Sequence, residues 1–365
     1  MSSPTDADDP HRGRRTGAGS RGPGGGAPGL LGRDLAIDLG TATTQIHVRG
    51  RGVVLDEPTL VAVDTGTGRL VAAGGAALEM LGRTPERVLT LRPLTDGVIT
   101  DSEVAEQLLR HFVERVRLSR LVRPRAVVAV PSGVTAVERR ALEDAALRCG
   151  ARRVYVLEEV MAAAIGAGLP VESAEASMVV DMGGGTTDVA VISLGGVVNA
   201  RSLRVGGDEV DEAVAAGVRQ THDLLLGERS AEHIKTAVGS VWPLAEELTT
   251  RVRGRDLSTG LPRTVELGSA EVRRMVEPVT SQVVEVVRSV LDVCPPELSG
   301  DLLDAGIVLT GGGALLRGWT ERLRHELGVP VRLAADPRHA VIRGAGACVD
   351  DMAALRRLLT GSARE

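Results

Sequence analysis

One pattern limits this chain more than any other: an apolar strand that closes in aspartate and a glycine/threonine turn, present twice. The first copy is Asp38-Leu39-Gly40-Thr41-Ala42-Thr43-Thr44, and the second is Asp181-Met182-Gly183-Gly184-Gly185-Thr186-Thr187-Asp188. Each turn runs on into another apolar strand. Glycines there let backbone N–H groups approach a phosphate with no Cβ in the way, and threonine hydroxyls add donors. An aspartate at the strand end, Asp38 or Asp181, can hold Mg²⁺, usually through the waters that ion gives up reluctantly. A glycine-rich hairpin explains either turn alone. A matched pair points to a shared grip on the phosphates of a nucleotide.

Two common alternatives do not fit. There is no GxxxxGK[ST], so this is not a P-loop. The glycines lead into a strand rather than a helix, so this is not a dinucleotide-binding fingerprint. The second copy follows the first at an offset of about 143 residues, and such an echo implies two domains of one topology.

The rest of the chain supports an α/β class with mixed sheets flanked by helices, because strands and helices alternate in both halves. Residues 101–118 read as a helix with Val104, Leu108, Leu109, Phe112 and Val116 on one face. Residues 125–131 read as a fully buried strand, and 137–150 as a helix ending at Gly150. Another strand and a short helix rich in small residues precede the second turn. Helices are expected over about 208–237, short strands in 239–270, and a long amphipathic helix over 271–293. A third glycine loop, Thr310 to Leu315, is expected to open a helix with its N–H groups facing outward. A fourth, Gly206-Gly207-Asp208-Glu209, also precedes a helix, where Asp208 could serve as an ordinary N-cap.

Composition excludes several functions. Phe112, Tyr155, Trp242 and Trp319 are the whole aromatic set, too few for base-stacking platforms, and the net charge is −5, so no nucleic-acid partner is expected. Cys149, Cys294 and Cys348 have no metal-ligand spacing and read as small hydrophobes in a reducing cytoplasm. No apolar run approaches the ~18 residues of a spanning helix. Residues 1–33 read as a disordered tail, with five arginines and no acid over 11–33. Lys235 is the only lysine among 43 basic residues, which suggests a position that a wide guanidinium would not fill.

The two turns and the third loop, in this order, resemble the actin / DnaK chaperone / sugar-kinase ATPase superfamily. Further stretches narrow this: "GRTPERVLTLRPLTDGVI", "VPSGVTAVERRAL", "EEVMAAAIGAGLPV", "MVVDMGGGTTDVAVISLGG", "GERSAEHIK", "GRDLSTGLP" and "LTGGGALLRG". From about Arg33 to Leu358 the chain is similar to the MreB family of bacterial actin-like cell-shape proteins. The resemblance implies ATP and Mg²⁺ in a cleft between two domains, each split into inner and outer subdomains. On that basis domain I is 34–173 plus 344–365, with its outer part about 62–94, and domain II is 174–343, with its outer part about 212–274. It also implies homopolymer filaments at the cytoplasmic face of the membrane and partners in cell-wall synthesis.

By position, the resemblance assigns Thr41, Ala42 and Thr43 to the first phosphate turn and Gly183, Gly184, Gly185, Thr186 and Thr187 to the second, with Gly207 nearby. Glu232 and Lys235 match the segment that contacts the adenosine, and Gly311, Gly312, Gly313, Ala314 and Leu315 the loop beside the adenine. Glu138, with Asp181 and Thr186, is the implied catalytic set, Glu138 orienting the attacking water. From the residues alone, Thr135-x-x-Glu138 is a capping box, so Glu138 also has a purely local role. Three positions depart from the family's usual pattern: Thr43 stands for Asn, Val160 for Pro and Asp188 for Glu. Where relatives insert two bulky apolar residues into the membrane, this chain has Leu121 and Val122, a weak anchor that a filament would multiply. A chaperone-type ATPase, a small-molecule kinase and a nucleotide-binding scaffold without turnover are the alternatives.

Overall fold

The repeated pattern becomes two repeated sheets. The structure, a computed structural model, describes residues 34–116 and 123–353. The expected tail, Leu121 and Val122 therefore lie outside the described residues.

In the first sheet the strand Leu35–Leu39 is central. It pairs antiparallel with Thr43–Val48, which in turn pairs with Gly52–Pro58. On its other side it pairs parallel with Arg125–Val130, which carries Arg153–Glu158 at the edge. The second sheet repeats this plan. Ser177–Met182 is central, antiparallel to Thr187–Ser193 and then Gly196–Leu203, and parallel to Ile307–Thr310 and then Val331–Leu333. Asp38 and Asp181 occupy the same place, the penultimate residue of each central strand.

Both faces of the central strands are buried, and period-two alternation divides them between cores. Leu35, Ile37 and Leu39 face a core completed by the helices Ser102–Val116 and Ala136–Arg148. Met178, Val180 and Met182 face a second core, built with the long helix Ser269–Asp292 and with Trp319 and Leu323. The remaining faces, Ala36, Val127 and Ala129 of one sheet and Val179, Ala190 and Ile192 of the other, meet a third core. That shared core is filled by two helices, Glu159–Gly166 and Ala340–Asp350. They cross with their backbones in contact. A Cβ added at Gly166 would overlap the Ala340 carbonyl oxygen, and one added at Gly344 would overlap that of Ala162.

Two smaller three-stranded sheets lie outside this frame, one of Val61–Asp64, Leu70–Ala73 and Val88–Leu91, the other of Leu224–Leu225, Thr249–Asp256 and Pro262–Gly268. The helices expected over 208–237 are Gly207–His222 and Glu228–Val238. The helical run breaks between them because Asp223 takes a left-handed conformation, φ 52°, and Leu224 and Leu225 pair with the neighbouring hairpin. The five apolar positions expected on the face of the 101–118 helix are all buried in Ser102–Val116.

Candidate functional site

Each hairpin turn closes in the same way. Leu39 pairs with Thr44 and Met182 with Thr187, leaving four-residue turns. The first glycine N–H then donates to the carbonyl three residues on, Gly40 to Thr43 at 3.1 Å and Gly183 to Thr186 at 2.7 Å. Among the described residues, the N–H groups of Thr41, Ala42, Gly184 and Gly185 have no backbone acceptor.

The two turns meet face to face. A Cβ on Gly184 would lie 2.5 Å from that of Ala42, and one on Gly185 would lie 2.9 Å from Asp96 Cα. Glycine is required at both because the opposing backbone leaves no room. Around them is a cavity of about 730 Å³, well within the size range of small-molecule sites. Of the residues expected at the nucleotide, Thr41, Ala42, Thr43, Gly183 to Thr187, Gly207, Glu232, Lys235, Gly311 to Gly313 and Leu315 line it.

Some expected residues stand elsewhere or are already engaged. Ala314 is buried in the second core and does not line the cavity. The Thr187 hydroxyl donates to the Val205 carbonyl at 2.8 Å, so that side chain is not a free phosphate donor. The Thr41 hydroxyl accepts from Gly97 N–H at 2.9 Å. The Gly311 loop enters a short 3-10 turn, Gly313–Leu315, and the α-helix begins only at Trp319, so its N–H groups do not form a helix N-terminus as expected. Asp208 is inside the first turn of its helix rather than at the cap, and Gly206 N–H is bonded by Glu209 instead.

Glu138 is held in its capping box. Thr135 N–H donates to its carboxylate at 2.7 Å, and the Thr135 hydroxyl accepts from Glu138 N–H at 3.2 Å. The Thr135 N–H first, and then the Thr135 hydroxyl beside the carboxylate, hold its carboxyl below the usual range. Arg204 stands 3.6 Å from its other oxygen, and Glu138 is not among the cavity-lining residues.

Asp38, Asp181 and Glu159 give the cavity an acidic lining. Burial pushes Asp38 up to about 7, with the nearby charges of Asp181 and Asp56 adding to it. Burial likewise raises Asp181 to about 7 and Asp188 to about 6. Glu159, which the sequence reading missed, is pushed well above the usual range by burial and then by Asp38, Asp188 and Asp181. Asp181 Oδ1 and Asp188 Oδ2 are buried with no hydrogen-bond partner. Such orphaned carboxylate oxygens fit a cation. Among the described residues no group of three or more His, Cys, Asp or Glu is arranged to cage one. The site therefore suits Mg²⁺, which keeps waters and phosphate oxygens as ligands and takes few carboxylates from protein.

These raised values set a pH dependence. Between about pH 4 and 7 the folded, metal-free protein retains protons that the unfolded chain has released, so stability falls as pH rises through that window. The urea midpoint without nucleotide or metal is expected to drop from pH 5 to pH 7.5, and to drop less in Asp181→Asn. Equal slopes in the two proteins would show that Asp181 is not held protonated.

Arg92 and Glu228 both line the cavity, with Arg92 Nε donating to Glu228 Oε1 at 3.1 Å. Arg92, Asp211 and Glu159 also line the cavity; Arg92 and Glu159 lie within the family-like stretches at 82–99 and 158–171, but nothing local marks any of the three as a site residue.

A model of the family described as "MreB/Mbl protein" matches residues 32–357. The chain belongs to the MreB/Mbl family. It is 49% identical over 328 residues to the cell shape-determining protein MreB of Escherichia coli (strain K12), covering 88% of this chain and 94% of that one. It is 44% identical over 324 residues to the cell shape-determining protein Mbl of Bacillus subtilis (strain 168), covering 88% and 97%. Among solved structures, MreB5 of Spiroplasma citri bound to ADP superposes with a TM-score of 0.85 at 35% identity, covering 89% of this chain and 98% of that one. A MamK double helical filament superposes at 0.76 and 24% identity, covering 87% and 99%, a likeness of fold alone. This MreB/Mbl chain thus has the actin-like fold, two related domains with mixed sheets flanked by helices. No helix among its described residues is long and apolar enough to cross a membrane.

Proposed function

We propose that this MreB/Mbl protein binds ATP with Mg²⁺ between its two sheets and assembles with copies of itself into filaments at the inner face of the membrane, where it helps guide cell-wall synthesis and cell shape. One observation carries the reading: two turns with the same closing hydrogen bond, free N–H groups and an aspartate behind each, set face to face across one cavity. Two sets of N–H donors facing inward suit a chain of phosphates better than a single anion. The ADP in the structure of the Spiroplasma relative supports a nucleotide as occupant. The proposed domains are 34–173 plus 344–365 and 174–343, one large sheet in each, and Leu121 with Val122 is the proposed membrane contact.

Sedimentation tests the assembly. Purified protein is expected to pellet with ATP and Mg²⁺, more so with anionic liposomes. No ATP-dependent pellet under either condition would sink the proposal.

A second reading, a scaffold that binds nucleotide without turning it over, is favoured by the capping box that occupies Glu138. Glu138→Ala separates the two. If Glu138 orients the water, phosphate release is expected to fall about 10²-fold or more, against about 1 kcal/mol of lost stability from the cap alone. Unchanged phosphate release would leave Glu138 as a helix cap.

A further inference from the structure

Late in the chain a short segment passes from the second large sheet to the first. It runs from the edge strand Val331–Leu333 to the helix Ala340–Asp350, which lies against the first sheet. As far as Pro337 the segment is bonded to the second sheet. Ala334 N–H donates to Leu309 O at 3.0 Å, and Gly311 N–H to Pro337 O at 2.8 Å. The next two residues are bonded to the first sheet, through Asp56 on its edge strand Gly52–Pro58. Asp56 Oδ1 accepts from Arg338 Nη2 at 3.1 Å and from Gln45 Nε2 at 3.2 Å, and Asp56 Oδ2 stands 3.2 Å from His339 Nε2. Asp336 reaches forward over the same passage. Its Oδ1 is 2.8 Å from His339 Nδ1, and its Oδ2 is 3.2 Å from Arg343 Nη1. His339 therefore stands between a carboxylate fixed to one sheet and a carboxylate fixed to the other.

The strength and the place of these links decide what they can do. The side chains range from 26% exposed at Asp56 to 56% at Arg343, and ion pairs so open to water are worth little each. They do not explain the fold. A link of that strength suits a joint that parts and re-forms, and hinges are a few residues at the ends of elements. The joint also borders the cavity, because Gly311, Arg338 and Val341 line it. Two carboxylates beside a helix start also favour the helix dipole, but that role alone would alter stability and leave the spacing of the sheets unchanged.

We infer that Asp56, His339 and Asp336 form an ionic lock at this passage, holding the two sheets at the described spacing until it parts and lets the cleft open. The lock is a series link, sheet to Asp56 to His339 to Asp336 to sheet, with Arg338 and Arg343 each securing one of the carboxylates. Its consequence for nucleotide exchange rests on the ATP reading above, whereas its effect on the spacing does not.

Spin labels at Arg69→Cys, beside the strand Leu70–Ala73, and at Arg253→Cys, in the strand Thr249–Asp256, test this in the nucleotide-free full chain by pulsed electron paramagnetic resonance. Both positions are exposed, and the three native cysteines are buried. One narrow distance is expected with the lock intact. Asp56→Asn and Asp336→Asn are each expected to broaden the distribution towards longer distances. Combining them is expected to add nothing, because either break parts a series link. Release of a fluorescent ADP analogue is expected to quicken about three- to fivefold in each variant, the scale of a partly exposed ionic network. Unchanged distances in both variants would overturn the proposal whatever happens to melting, leaving the aspartates as partners of a helix start. A double variant that changes by the sum of the singles would overturn the series link. If the distances move as expected and neither ADP nor ATP binds, the lock stands and the ATP reading fails. If nucleotide binds and the distances stay fixed, the lock alone fails.

Discussion

Gly344→Val is expected to lower the main thermal transition by roughly 4 °C, the equivalent of about 3 kcal/mol in a protein of this size. At Gly344 the neighbour is not a side chain that could turn away but the Ala162 carbonyl, and Gly166 faces Ala340 in the same way from the other helix. Relief requires the two helices to separate. Both lie in the core that joins the sheets, so separating them also loosens Ala36, Val127, Val179 and Ile192. Overpacking of this kind costs about 1–3 kcal/mol even where side chains can adjust, and a backbone contact on both sides puts this site at the upper end. Gly300→Ala is the control. Nothing stands within 4 Å of the added methyl, and the residue is inside the helix Pro296–Ala305, so unchanged or slightly raised stability is expected. A Gly344→Val protein that melts with the unaltered one would show that the crossing is looser than described.

The second large effect is expected at Asp181. Asp181→Ala should weaken Mg²⁺·ATP binding by about 10- to 100-fold, the usual scale for removing a group that orients a metal's ligands. Binding of ATP in excess EDTA should change far less. Asp181 is fully lodged behind the second turn, with Oδ1 lacking a partner and its carboxyl raised to about 7 by burial. Without a cation that carboxylate is a liability, and with one it becomes a ligand to the metal's waters. Titration calorimetry with and without Mg²⁺ reads the difference directly. Equal affinities in the two proteins with Mg²⁺ present would remove Asp181 from the metal site.

Much of this was legible in the sequence because it is local. Asp38 and Asp181, the glycines between them and the following strands are contiguous patterns, and alternation along "DLAIDL" and "SMVVDM" carries both the strands and their two-sided burial. The buried face of Ser102–Val116 followed from helical spacing for the same reason. What was not legible depends on partners distant in the chain. That Thr187 gives its hydroxyl to Val205, or that Asp211 meets Lys235, is decided by how helices dock. Glu159 reads as an ordinary first-turn acid of its helix, and only tertiary packing puts it among Asp38, Asp181 and Asp188. The glycines of "AAAIGAG" and "IRGAGA" look like weak helix formers until the two segments are found crossing. The Gly311 loop misled because a glycine run before an apolar periodic stretch looks alike whether it opens an α-helix or a 3-10 turn.

The third core has a consequence for synthesis on the ribosome. One face of the first sheet, at Ala36, Val127 and Ala129, is covered in part by Val341, Ile342 and Ala345, which are translated last among the elements described. The roughly 170 residues between Gly166 and Ala340 take on the order of 10–35 s to translate at about 5–20 residues per second. Through that interval the emerging N-terminal half carries an uncovered apolar face. Completion of that core waits until the helix Ala340–Asp350 has been made.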